Sequence, residues 1–208
     1  MRPLPRSFYE PSAAEVAPLL LGHWLIRNLP GGPCGGPIVE TEAYLEGDPA
    51  SHGFGGERVR NRPMYGPPGY CYVYLIYGFH FCVNVVCRCP GSPEAVLIRA
   101  IEAKVGLGAM RQNRPAATPI ALTNGPGKLC AALAIDRKLT GVDLCDASSP
   151  LFIAKNPDFA RFRRQRGPVM ISTRIGITKA AALPLRFYLG GSRFISRPAR
   201  ATAASSIE

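Results

Sequence analysis

The stretch from Tyr70 to Cys87 constrains this chain more than any other. Tyr70-Cys71-Tyr72-Val73-Tyr74-Leu75-Ile76 and Phe79-His80-Phe81-Cys82-Val83-Asn84-Val85-Val86-Cys87 are both rich in β-branched and aromatic residues, the types that fit a pleated, half-buried surface. Only Tyr77 and Gly78 separate them. Two such runs joined by two residues, the second a Gly, predict a tight antiparallel hairpin. Tyr77 then stands at a hairpin tip with no core to fill, so it packs on a neighbouring loop or is aimed at a partner.

The flanking segments extend a sheet of the same kind. Ile38-Val39-Glu40-Thr41-Glu42-Ala43-Tyr44 reads as a strand with Glu40, Glu42 and Tyr44 on one face. Ala95 to Ile101 is another, with Arg99 embedded in it; an arginine inside an apolar strand needs a buried partner or a pocket. His23 to Arg27, Val169 to Ile177 and Pro184 to Ile195 complete the strand-like segments. Ser12-Ala13-Ala14-Glu15 has the capping-box form and starts a helix through Leu21 that Pro18 kinks or shortens. Residues 30–37 read as a Gly/Pro-rich turn, 45–69 as a long loop, 102–112 as a weak helix and 146–168 as loop. With 208 residues, 47% of them apolar, the expectation is one α+β domain over 1–196, a curved antiparallel sheet with surrounding helices and a protruding β-hairpin, followed by a polar, disordered tail over 197–208.

Charge narrows the function. The chain carries 25 Lys and Arg against 14 Asp and Glu, a formal charge of +11, and such a surface attracts polyanions, nucleic acid first. Lys155 to Arg200 holds eleven basic residues and one acid, including the cluster Arg161 to Arg166, whose contact with DNA is an electrostatic expectation only. Glu40 to Arg60 reverses this, with five acids and two basic residues. Lys128 falls in the first turn of a helix after Asn124-Gly125-Pro126-Gly127, where a cation opposes the helix dipole unless a phosphate is bound there. The seven cysteines include no CxxC pair, and Cys82, Cys87 and Cys89, whose spacing matches no usual zinc site, read as small buried hydrophobes of a reducing compartment. No apolar run is long enough to span a membrane, and no secretory signal is visible. GxSxG and HExxH motifs are absent from the sequence, so hydrolysis would run on plain acid–base chemistry. Aromatics on a hairpin, an isolated glutamate strand and a basic surface together fit an enzyme that takes a base out of a duplex, with Glu42 as general base toward water.

These residues resemble the alkyladenine (3-methyladenine) DNA glycosylases, the single-domain family without a helix-hairpin-helix motif. The likeness runs over nearly the whole chain. It rests on the Ile38–Tyr44 block, Arg60-Asn61-Arg62 with Met64-Tyr65, Tyr72–Gly78 with Phe81–Asn84, Leu97–Ala100, Gly125–Cys130 and Pro184–Tyr188. The resemblance implies that Glu42 deprotonates and positions the attacking water and that Arg99 helps hold it. It implies that Tyr77 enters the minor groove and fills the space of the flipped nucleotide. Tyr44 would take one face of the flipped base and Tyr74 and His52 the other, with the His52 main-chain N–H offered to the base edge. Asn84 would discriminate against the exocyclic amine of guanine, and Lys128 with Gly125 and Gly127 would meet the DNA backbone. The implied enzyme is a cytoplasmic, nucleoid-associated monomer of bacterial type. It would use no cofactor, metal or obligate protein partner, act on duplex DNA carrying a damaged purine, and have no lyase activity. Two departures stand out: Tyr44 to His52 is one residue shorter than in vertebrate members, and His80 replaces a common tyrosine. A non-catalytic nucleic-acid-binding module built on the same aromatics, an enzyme of RNA bases and a small-molecule hydrolase remain as alternative readings. Neither a buried glutamate nor the arginine is needed by a simple binder.

Overall fold

The first elements show why a glycine-rich run belongs to the sheet. In the computed structural model, which describes residues 1–197 and 205–207, helix α1 (Ala13–Leu20) opens on a full Ser12–Glu15 capping box and carries Pro18 in its last turn. Strand β1 (Trp24–Leu29) turns at Pro30-Gly31 straight into β2 (Gly32–Tyr44). Residues 32–37 are therefore strand, not turn. A Cβ on Gly35 would lie 2.0 Å from the Leu25 carbonyl oxygen, and one on Gly36 would lie 1.8 Å from that of Glu102. Only glycine lets both neighbouring backbones approach this closely.

Strands β3 (Cys71–Ile76) and β4 (His80–Cys87) form the expected hairpin, though three residues connect them rather than two. Tyr77 and Gly78 both take positive φ, +54° and +79°. Strand β5 (Glu94–Ile101) follows, then α2 (Leu107–Asn113) and α3 (Pro126–Ala132). The segment 146–168 is not loop: it contains β6 (Leu151–Ala154) and α4 (Phe159–Arg166). The arginines conceal this helix, which is anchored through Phe159 stacked on His23 and through buried Phe162. Strands β7 (Val169–Ser172), β8 (Arg186–Leu189) and β9 (Ser205–Ile207) end the chain. Residues 173–177 and 190–195, expected to continue strands, leave the ladder. Of the expected polar tail, 198–204 and 208 lie outside the described residues.

All pairings are antiparallel, in the order β3-β4-β5-β2-β8-β7-β9, with β1 and β6 on the first half of β2. The sheet curls into a half-barrel, the α+β architecture expected. Its core joins Val39, Ile98 and Ile101 to Leu20 of α1 and Leu129 of α3. Strand β2 is central to both halves: Gly32–Pro37 pair with β1, and Glu40–Glu42 lie between β5 and β8. Among the described residues no helix is long and apolar enough to cross a membrane.

Candidate active site

Period-2 alternation puts Glu40, Glu42 and Tyr44 on one face of β2, and an irregularity in β5 brings the arginine to them. Glu40 faces Ala100 while Thr41 faces Ile98, so Arg99 is the extra residue of a bulge. Bulges re-aim side chains in this way. The Arg99 Nη1 lies 3.1 Å from Glu42 Oε2, and its Nε donates to Glu40 Oε1 at 3.0 Å. Burial opposes the Arg99 charge, but the facing Glu42 and Glu40 carboxylates outweigh it, and the pKa is raised above the usual arginine value.

Glu42 is completely buried. Its Oε2 also accepts from the Tyr44 hydroxyl at 3.0 Å, and its Oε1 accepts from the Ile175 amide at 2.8 Å. Three independent donors, the Arg99 guanidinium, the Tyr44 hydroxyl and the Ile175 amide, orient this carboxylate. Glu40 is held more tightly. Arg186 Nε donates to its Oε1 at 2.7 Å, the Ser196 hydroxyl to the same oxygen at 2.8 Å, and the Ser196 amide to its Oε2 at 2.6 Å. Burial works against this charge too, yet Arg99, Arg186 and Ser196 hold the Glu40 pKa below the ordinary carboxylate value.

In front of this cluster lies a cavity of about 380 Å³, the size of a small-molecule pocket. Arg99, Tyr44 and Ile175 form the wall that separates it from Glu42. Tyr74 and His52 stand on the cavity as well, with ring centroids 4.2 Å apart, and His52 Nδ1 is 3.0 Å from the Tyr72 hydroxyl. Partial burial and the Arg60 charge lower the His52 pKa, so the ring is neutral at neutral pH. Burial pushes the hydroxyls of Tyr44 and Tyr74 well above the usual phenol value, so both rings are neutral platforms. Asn84 is tied by Nδ2 to the carbonyls of Tyr72 (3.0 Å) and Cys82 (3.4 Å), which fixes its amide on the cavity wall.

The mouth is formed by the hairpin tip and the start of α3. Tyr77 is 70% exposed and so is Phe79. His80 rests on Gly127, where a Cβ would lie 2.9 Å from its ring. Gly125, Gly127 and Lys128 line the rim, with Lys128 Nζ bonded to Asn124 Oδ1 at 3.0 Å. The structure therefore gathers Arg99, Tyr44, His52, Tyr74, Asn84, Tyr77, Gly125, Gly127 and Lys128 on the wall or rim of one cavity, with Glu42 behind it. The basic cluster stands apart: Arg163 donates to the Pro18 and Leu21 carbonyls and Arg166 pairs with Glu102, so two of its four arginines serve the fold.

Sequence reasoning missed Arg174, Arg186 and Ser196. Arg174 is buried, pairs with Asp48, donates to the Ala43 carbonyl at 3.0 Å and lies 4.6 Å from the Tyr44 ring centroid. It ties the Asp48 loop, which carries His52, to the strand that carries Glu42. The signal that exposed Arg99, an arginine within a strand-like apolar segment, is equally present at Arg174 and Arg186.

The profile of the methylpurine-DNA glycosylase (MPG) family matches residues 7–193. A protein of Methanoculleus marisnigri named "Putative 3-methyladenine DNA glycosylase" is 48% identical over 194 residues, covering 93% of this chain and 98% of its own length. Proteins of the same name from Rhodopseudomonas palustris and Carboxydothermus hydrogenoformans are 49% identical over 196 residues and 43% identical over 194. They cover 94% and 93% of this chain and 88% and 98% of their own lengths.

Proposed function

The chain belongs to the methylpurine-DNA glycosylase family, whose members hydrolyse N-glycosyl bonds in DNA, and from that premise we infer that it flips a damaged purine out of duplex DNA and leaves an abasic site. The substrate class is that of 3-methyladenine, 7-methylguanine, hypoxanthine and ethenoadenine. The observation that carries this reading is the aromatic-walled cavity with Arg99 on its wall, Glu42 behind it and exposed Tyr77 at its mouth.

Tyr77 enters the minor groove and occupies the place of the extruded nucleotide, as wedge side chains do. The purine stacks between Tyr44 on one side and Tyr74 with His52 on the other. The His52 amide, which has no hydrogen-bond partner among the described residues, is offered to the base edge. Asn84, held rigid by two carbonyls, limits the room for an exocyclic amine at that edge. The sugar passes through an oxocarbenium-like state. A water held against Arg99 gives its proton to Glu42, and its oxygen bonds to C1′ as the C1′–N bond breaks, with that electron pair going to the base. A base already cationic from alkylation at N3 or N7 leaves neutral and needs no proton. Lys128 at the rim is bonded to Asn124, which supports water rather than an amine as nucleophile and hence a monofunctional enzyme. The enzyme acts as a monomer in a bacterial-type cytoplasm.

The test is single-turnover base release from a duplex carrying hypoxanthine or ethenoadenine, read by alkaline cleavage, with methylated genomic DNA as a third substrate. Release by wild type and none by Glu42→Gln is the expected result. Tight duplex binding without release from all three substrates refutes it.

A further inference from the structure

A second cavity of about 480 Å³ lies on the other side of the aromatic wall, and His52, Tyr72 and Tyr74 line both. It is built on β3, the end strand of the sheet. Val73 and Leu75 line it, together with Arg60 and Arg137, both exposed. Arg60 belongs to the loop before Arg62, and its carbonyl accepts from the Tyr72 hydroxyl at 3.5 Å. Arg137 opens the short turn that ends at Thr140, whose hydroxyl is clasped to the Val73 backbone at 3.1 and 3.2 Å.

The two guanidiniums are unbalanced. Neither has a carboxylate or hydrogen-bond partner among the described residues, and the cavity wall holds no acid. Both charges act on the same Tyr72 hydroxyl, which burial pushes up to about 12 and the two arginines pull back. Two cations on one cavity without a counter-ion give it a positive potential that an anion neutralises.

Position says which anion. Val73, beside Arg137, is four residues from Tyr77, about 13 Å along a strand. The minor groove is about 7.5 Å deep, so a hairpin inserted to its floor holds this level about 6 Å outside the groove lip. That gap is one an arginine side chain spans to reach a backbone phosphate. We propose that Arg60 and Arg137 form a phosphate clamp that holds the duplex backbone on the side of the base cavity away from Lys128. The proposal rests on the duplex being the substrate, and the flipped nucleotide is then gripped between two cationic rims.

The test uses the full chain with Arg60→Ala, Arg137→Ala and the double variant, and measures Kd against salt for a hypoxanthine duplex and for the same duplex undamaged. Each phosphate that is no longer neutralised lowers the slope of log K against log salt by about one. The double variant is therefore expected to lose about two, with equal weakening on both duplexes. Its Tm stays at the wild-type value, and Arg60→Lys with Arg137→Lys restores the slope. An unchanged slope in the double variant overturns the clamp. So does weakening confined to the damaged duplex, or a lower rate at saturation with the slope intact, because either would assign the arginines to the base cavity through His52 and Tyr72. The slope on the undamaged duplex is read without catalysis, so failure of base release and failure of the clamp are separate results.

Discussion

Glu40 and Glu42 share a strand, a face and an arginine, and substituting each by glutamine separates their work. The buried cluster holds two carboxylates against Arg99 and Arg186. Glu40 takes bonds from both guanidiniums, and from the amide and hydroxyl of Ser196, within 2.6–3.0 Å. In Glu40→Gln, Arg186 loses its carboxylate, Arg99 keeps only Glu42, and the new amide N–H groups face donors. Breaking a buried pair costs about 3–5 kcal/mol, a large share of the roughly 5–15 kcal/mol by which domains are stable. Glu42→Gln leaves Arg99 and Arg186 on Glu40. The Ile175 amide still finds an oxygen, and the Tyr44 hydroxyl can turn from donor to acceptor, so the loss is about 1.5–3 kcal/mol on the scale of one charged hydrogen bond. Urea unfolding at neutral pH with unchanged slope should therefore rank Glu40→Gln below Glu42→Gln by about 2 kcal/mol. Base release should be abolished in Glu42→Gln, which stays folded. Equal stability of the two variants, or a reversed order, refutes the assignment of Glu40 as the structural anchor of Arg99.

Three further outcomes follow from single features. Gly36→Ala puts a methyl 1.8 Å from the Glu102 carbonyl oxygen, so the strand must shift; a loss above about 3 kcal/mol is expected, since backbone cannot swing aside as a side chain does, and a Tm within a degree of wild type would contradict it. Tyr77→Ala removes an exposed ring, so Tm should hold, stability changing by less than about 0.5 kcal/mol, while single-turnover release slows; an unchanged rate removes Tyr77 from the flipping step. His23 is packed on Phe159 and Phe8, and burial, with Lys155 and Arg163 nearby, lowers its pKa to about 4. The folded state keeps this ring neutral while the unfolded chain protonates it near the ordinary value. Its contribution is intact above about pH 6.5 and is lost as pH falls toward 4, by up to about 1.4 kcal/mol per pH unit. His23→Gln should flatten stability over that window, and an unaltered slope would exclude it.

What could be read in the sequence was what depends on local pattern. Alternation placed Glu40, Glu42 and Tyr44 on one face, the capping box set the start of α1, and the paired runs around Tyr77 and Gly78 produced the hairpin. Two errors share a cause. Glycine signals a turn when only its φ freedom is considered, but Gly35 and Gly36 are needed for close approach by the Leu25 and Glu102 backbones, partners that local pattern does not show. An arginine-rich segment signals solvent, but Phe159 and Phe162 need only one apolar stripe to form α4. Arg174 and Arg186 carried the same signal as Arg99, but their partners, like that of Ser196, were not legible: each meets its carboxylate across 126 to 156 residues.

The placement of Glu42 on β2 has a physical consequence. A carboxylate that must stay aimed in a buried place needs donors already fixed before substrate arrives. Strand β2 is flanked by β5 and β8 along Glu40–Glu42, so neighbouring backbone restrains it on both edges. The β5 bulge supplies Arg99 and the chain after β7 supplies the Ile175 amide. The hairpin bearing Tyr77 lies at the end of the sheet, where a strand has one ladder and can yield as a duplex is bent. The groups that must not move thus sit where the sheet is most constrained, and the wedge sits where it is least so. Loosening the centre should cost turnover before it costs DNA binding, and shortening the hairpin should do the reverse. A Ser196→Ala variant, which removes one hydroxyl shared by Glu40 and Arg99, puts this to measurement: the single-turnover rate falls while Kd for an undamaged duplex holds, and a change confined to Kd would reverse the argument.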